Sequence, residues 1–167
     1  MRRNFWTILF SILLLVACAG APALRSGESG VDDVQREMGA PALRWQDADG
    51  STHLAYPHGP MGLKTLLVHL DPAGRLRNIE NVLDEEHFAA VKPGMGKEQV
   101  QHLLGPPQPQ WTVYFKARDE LAWEWRYCDA WNVAARFNVL FDATQGTVRS
   151  TLSVRENCGK IDCRCAH

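Results

Sequence analysis

The chain contains one pattern twice. Set against itself with a shift of 66 positions, it places Val34, Gln35, Gly39, Pro41 and Trp45 on Val100, Gln101, Gly105, Pro107 and Trp111. A repeat of this size is one supersecondary unit, so two tandem copies constrain the fold more tightly than composition does. With a few inserted residues the match continues. Asp71-Pro72-Ala73-Gly74 lies between two apolar runs, as does Asp142-Ala143-Thr144-Gln145-Gly146. Each copy reads as a helix, a Gly-x-Pro stop, a Trp-bearing strand and an Asp-to-Gly hairpin.

Boundary residues support the helices. In the first copy Ser29 is a good N-cap with Asp32 three residues on; in the second, Gly96 stands there with Gln99. Gly39 and Gly105 suit the left-handed conformation that ends a helix, and Pro41 and Pro107 prevent it resuming. Val34 with Met38, and Val100 with Leu104, form one apolar stripe per helix to cover a sheet. A further short helix is expected over Asp84 to Val91, ended by Pro93-Gly94.

The strands alternate. Phe137, Val139 and Phe141 share one face, opposite Arg136 and Asn138; Val148, Leu152 and Val154 are expected to share a packed face, opposite Arg149, Thr151, Ser153 and Arg155. In the first copy Leu66, Val68 and Leu70 match, but Arg75 to Glu80 alternates poorly and is read as an edge strand. The expectation is an α+β fold of two tandem small units, each with one or two helices packed on an antiparallel β-sheet meander. Residues 29–81 form the first unit and 84–157 the second.

Ahead of these units, Arg2 and Arg3 precede an apolar stretch from Phe5 to Val16 and then small residues, the layout of a secretory signal over residues 1–17. The stretch is too short to span a bilayer, which takes about 20 apolar residues. Leu15-Val16-Ala17-Cys18 resembles a lipobox. That resemblance implies acylation of Cys18, palmitate included, and cleavage before it, with stable anchoring because several chains are attached. Ala rather than Asp at position 19 implies the outer membrane, on its periplasmic face. Residues 18–28, rich in Ala, Gly, Pro and Ser, read as a tether.

The leader takes two of the chain's 18 basic residues, leaving 16 against 19 acidic ones with no basic run, so no nucleic-acid partner is expected. With Cys18 assigned to lipid, Cys128, Cys158, Cys163 and Cys165 form an even set, and two disulfides are the default for an exported protein. Cys128 and Cys158 finish at one end of the sheet but two strands apart, about 9–10 Å, too far for a direct bridge. The tail, residues 158–167, is therefore expected to curl so that Cys163 or Cys165 reaches Cys128 and Cys158 takes the other. A Zn site on Cys163, Cys165 and His167 is the alternative, but Cys-x-Cys lacks the usual two-residue spacing.

The sequence holds no nucleophile elbow, P-loop, His-Glu-x-x-His or dinucleotide fingerprint, so no enzyme, cofactor or metal is expected. Asp47-Ala48-Asp49-Gly50 has the acids of a Ca²⁺ loop but Trp45 and Tyr56 where its first and last ligands belong; a hairpin turn explains it. Glu85, Glu86 and His87 read as the first turn of a helix, where acids favour the dipole. The aromatic residues are the candidates for binding. Trp123 and Trp125 share a strand face, with Tyr127 and Trp131 close by. If that face meets the helices the rings are core, and if it is open they form a partner-binding platform.

Val91-Lys92-Pro93-Gly94-Met95-Gly96-Lys97-Glu98-Gln99-Val100, followed by Leu104-Gly105-Pro106-Pro107, resembles the SmpA/OmlA (BamE-like) family of outer-membrane lipoproteins. Residues 84–155 follow that family's order of two helices and a three-stranded sheet. The tandem arrangement is similar to β-lactamase inhibitory protein. The resemblance implies a non-catalytic scaffold or binding subunit in outer-membrane protein assembly or envelope integrity, with the β-barrel assembly machine as partner. The alternative it implies is an inhibitor-type module that grips a periplasmic enzyme through its sheet faces.

Overall fold

In a computed structural model of the chain, residues 24–59, 61–158 and 163–165 are described; the signal sequence, Cys18 and His167 lie outside them. Helix α1 (Val31–Met38) precedes β1 (Leu43–Gln46), β2 (Thr52–Pro57), β3 (Thr65–Leu70) and β4 (Leu76–Asn81). Helices α2 (Glu85–Ala90) and α3 (Lys97–Leu104) precede β5 (Val113–Phe115), β6 (Glu120–Cys128), β7 (Ala134–Asp142) and β8 (Val148–Arg155). Each set of four strands forms one antiparallel sheet in sequential order. The fold is α+β with two tandem units.

The two helices that open the repeats are capped alike. The Gly30 N–H donates to the Asp33 carboxylate at 3.0 Å, and the Gly96 N–H to Gln99 Oε1 at 2.8 Å. Gly30, not Ser29, is therefore the N-cap; the Ser29 hydroxyl instead accepts the Arg25 N–H. At the far ends Gly39 has φ 81° and ψ −164°, and Gly105 has φ 72° and ψ −179°. These angles lie outside the left-handed helical well, in the mirror-extended region that only glycine enters cheaply.

Two matching β-bulges set the phase of the last strands. The register shifts between His69 and Leu70 opposite β4, and between Leu140 and Phe141 opposite β8. In both strands the extra residue is an arginine, Arg77 or Arg149, and the residues after it change face. This explains why β4 alternates poorly: Leu76 and Ile79, three apart, both pack in the first core. It also corrects the expectation for β8. Val148 is buried, but Leu152 and Val154 emerge on the opposite side and are exposed. A second correction concerns Trp111, which sits in a 3-10 turn (Pro109–Trp111) ahead of β5, so Val113 takes the register position that Trp45 holds in β1.

Helix α1 buries Val34 against Leu54, Tyr56, Val68, Leu70 and Leu76. Helices α2 and α3 bury Phe88, Val100 and Leu104 against Trp123, Trp125, Phe137, Val139 and Phe141. The other flank of α3 lies on the far face of the first sheet. There His102 stacks on Trp45 with ring centroids 4.4 Å apart, and a Cβ built on Gly105 would come within 2.7 Å of Thr65 Cγ2. Part of that far face is closed off, with Ala55, Leu67 and Thr65 all buried. The layers thus alternate helix, sheet, helix, sheet, and α3 serves two sheets at once.

Candidate binding surface

Register assigns every residue of the second sheet to a face. Trp123 pairs with Val139, Trp125 with Phe137 and Tyr127 with Ala135, and all six side chains point toward α2 and α3. The opposite face carries Val113, Ala122, Leu140 and Ser150 in one row, Glu124, Asn138 and Leu152 in the next, and Arg126, Arg136 and Val154 in a third. It is the counterpart of the first-sheet face that α3 covers. Among the described residues no α-helix packs on it; the 3-10 turn at Pro109–Trp111 and the Met61 carbonyl, which accepts from Arg126 at 2.6 Å, reach its edge.

Ion pairs hold its centre. Glu156 accepts both Nε and a terminal nitrogen of Arg126, at 2.7 and 2.8 Å, and Nε of Arg136 at 2.9 Å. Arg136 reaches on to Glu124 and lies over the Trp111 ring, 4.5 Å from its centroid. The Arg126 hydrogen bonds, with the charge of both guanidiniums, hold the Glu156 carboxyl below the usual glutamate range; Glu156 in turn pushes the Arg126 guanidinium up. Two acids and two bases cancel, so the centre is polar, satisfied and neutral.

Its margins are apolar. Leu152 and Val154 are 41% and 50% exposed on the β8 side, and Val113 and Phe115 are 43% and 40% exposed on the β5 side. Exposed apolar side chains on an open sheet face suit the surface of a macromolecule better than a small substrate, which needs concavity.

Of the two alternatives for the candidate aromatics, core packing or a platform, the structure shows core packing for three of the four. Trp123, Trp125 and Tyr127 are 8%, 1% and 3% exposed. Trp123 meets Phe141 edge-on at 4.7 Å and Tyr127 meets Phe88 at 4.7 Å, so these rings are core and have no surface to offer a partner. The Trp125 indole N–H is buried without a hydrogen-bond partner, so this ring contributes packing. Trp131 alone of the four is open, 77% exposed in the β6–β7 turn that Asp129 braces through the Trp131 and Val133 amides. Cys128 pairs with Cys165 and Cys158 with Cys163, with Cα atoms 6.0 and 5.6 Å apart. The first of these bridges fastens the tail across the end of β6, and the Ala134 N–H donates to the Cys163 carbonyl at 2.8 Å.

The chain matches no protein-family model, no curated protein and no solved structure. No helix among the described residues is long and apolar enough to cross a membrane.

Sequence alone does not reveal the outer-face residues Leu152 and Val154, because the bulge at Arg149 reverses the apparent phase of β8, nor Val113 and Phe115, because Trp111 stands in a 3-10 turn and not in the strand. Nor does it single out His53 and His69. Sixteen residues apart, they carry no local motif; the β2–β3 register alone sets them opposite each other.

Proposed function

We propose that this chain is an outer-membrane-anchored periplasmic lipoprotein, tethered through lipid on Cys18, that acts as a non-catalytic binding subunit in outer-membrane protein assembly or envelope integrity. One observation carries the reading: the two units stack in one direction, so α3 covers part of the far face of the first sheet while the corresponding face of the second receives no α-helix and is rimmed by Leu152, Val154, Val113 and Phe115. In the first unit that face receives a helix. The second unit offers a partner the same kind of surface.

Support for the compartment comes from the leader, the lipobox and two disulfides, which belong to an oxidising environment. Support for the role comes from the SmpA/OmlA-like order of residues 84–155, and the β-barrel assembly machine is the partner it names. Affinity capture from detergent extracts tests the proposal with the full chain as bait. Wild type recovers the machine's subunits, whereas Leu152→Arg with Val154→Arg loses them and leaves thermal stability nearly unchanged, as expected for exposed positions. Equal recovery by the two baits refutes the assignment of this face, and no recovery by either refutes the partner.

A further inference from the structure

On the far face of the first sheet, four polar side chains from β2, β3, β4 and the β1–β2 turn form an unbroken chain. Asp47 Oδ2 contacts His53 Nε2 at 2.9 Å, His53 Nδ1 contacts His69 Nδ1 at 2.9 Å, and His69 Nε2 contacts Glu80 Oε1 at 2.7 Å. Each carboxylate accepts an Nε2–H. The two Nδ1 atoms then face each other at 2.9 Å.

Two imidazoles held by carboxylates in this way can also serve as a pair of metal ligands. Imidazole ligands as a rule donate the distal ring N–H to a carboxylate, which fixes the tautomer and aims the other nitrogen at the ion. Here both rings are so held, with both free nitrogens turned toward each other. At metal–nitrogen bonds of about 2.0–2.1 Å, nitrogens 2.9 Å apart subtend about 90° at a shared ion. That is the cis angle of a tetragonal site, the geometry of Cu²⁺ with imidazole. A tetrahedral angle would need the rings to part by about 0.4 Å.

The duplication supplies an internal control. By register, the counterparts of His53 and His69 in the second sheet are Ala122 and Leu140, and the counterpart of Glu80 is Leu152. The sheet itself therefore does not require polar residues at these positions, and this polar chain belongs to the first unit alone. Access exists too. His53 and His69 line two cavities of about 290 and 350 Å³, the first bounded by Ser51, Arg77 and Asn78 and the second by Trp45, Gln99 and His102. No group of three or more His, Cys, Asp or Glu among the described residues surrounds a common point, so the protein supplies two ligands and water supplies the others.

We propose that His53 and His69 form a Cu²⁺ site, with Asp47 and Glu80 orienting the two rings. The ion takes the two Nδ1 lone pairs, and any proton held between them leaves to solvent. Titration of the metal-free full chain in detergent with Cu²⁺, followed by calorimetry and electron paramagnetic resonance, tests this. The expected result is one ion per chain with hyperfine structure from two nitrogens, loss of that signal in His53→Ala with His69→Leu, and affinity reduced about 10–100-fold in Asp47→Asn or Glu80→Gln. The double variant installs the second unit's own residues, and a far-ultraviolet spectrum and melting temperature matching wild type show that it folds. His87→Gln, which alters a histidine outside the pair, keeps the site. Equal binding by wild type and the folded double variant overturns the proposal, as does wild type failing to bind Cu²⁺ at micromolar concentration.

Discussion

The stacking of α3 on the first sheet can be tested by making one substitution twice. Gly39 and Gly105 end equivalent helices with nearly the same backbone angles, φ 81° and 72°, in the region that non-glycine residues enter at about 1–3 kcal/mol. A Cβ at Gly39 meets nothing within 4 Å, so Gly39→Ala carries the backbone cost only. At Gly105 the same atom lies 2.7 Å from Thr65 Cγ2 and 3.4 Å from the Ala55 Cβ. The first distance is far inside the optimum of about 3.5–4.0 Å between carbons. Thr65 is 1% exposed and has nowhere to move, so overpacking adds about 1–3 kcal/mol. Gly105→Ala should therefore cost about 2–6 kcal/mol against about 1–3 for Gly39→Ala. Urea denaturation at matched m-values measures both. In a Thr65→Ser background, where the offending methyl is gone, the excess should shrink while the Gly39→Ala cost stays fixed. Equal losses at the two glycines, or an excess that ignores Thr65, would refute the contact between the units.

Glu156 is held ionised below the usual glutamate range, so its contribution to stability is present above the unfolded-state value of about 4.3 and is lost as pH falls from there through the lower folded value. Glu156→Gln should lower stability by about 1–3 kcal/mol at pH 7 and flatten the loss on acidification, read from denaturation midpoints at successive pH values. Removing the Cys128–Cys165 bridge by double substitution to Ser should cost about 2–4 kcal/mol. Mass mapping of non-reduced peptides should return Cys128 with Cys165 and Cys158 with Cys163, and a Cys128–Cys163 peptide would contradict the tail geometry. Substituting Cys18 by Ser should abolish palmitate labelling and signal cleavage in cells, whereas retained labelling would remove the lipid anchor from the account.

Much of the architecture was legible because it is written locally and written twice. Gly39 and Pro41, matched by Gly105 and Pro107, mark two helix ends, and Asp71 to Gly74, matched by Asp142 to Gly146, mark two hairpins. What period-two reasoning cannot see is a residue that drops out of the ladder. Arg149 looks like one more outward residue in an alternating strand, yet as a bulge it turns Leu152 and Val154 from expected core into exposed surface. Nor does alternation say which side of a strand a helix will cover. Trp123 and Trp125 shared a face as expected, and only the packing of Val100 and Leu104 made that face the core. The helix cap was misread by one position because Ser29 is the better cap by residue type, while the Asp33 carboxylate reaches the amide of Gly30. His53 and His69 are related only through the pairing of two strands.

Under the proposed function, the open face of the second sheet meets a partner. Site-specific photo-crosslinking in the native host tests it most directly, with the reactive residue placed at Leu152 or Val154 on that face, or at Asp32 on α1 as a reference. Adducts to a subunit of the β-barrel assembly machine are expected from positions 152 and 154 and none from position 32. Absence of adducts from 152 and 154, or equal adducts from 32, would contradict the proposal.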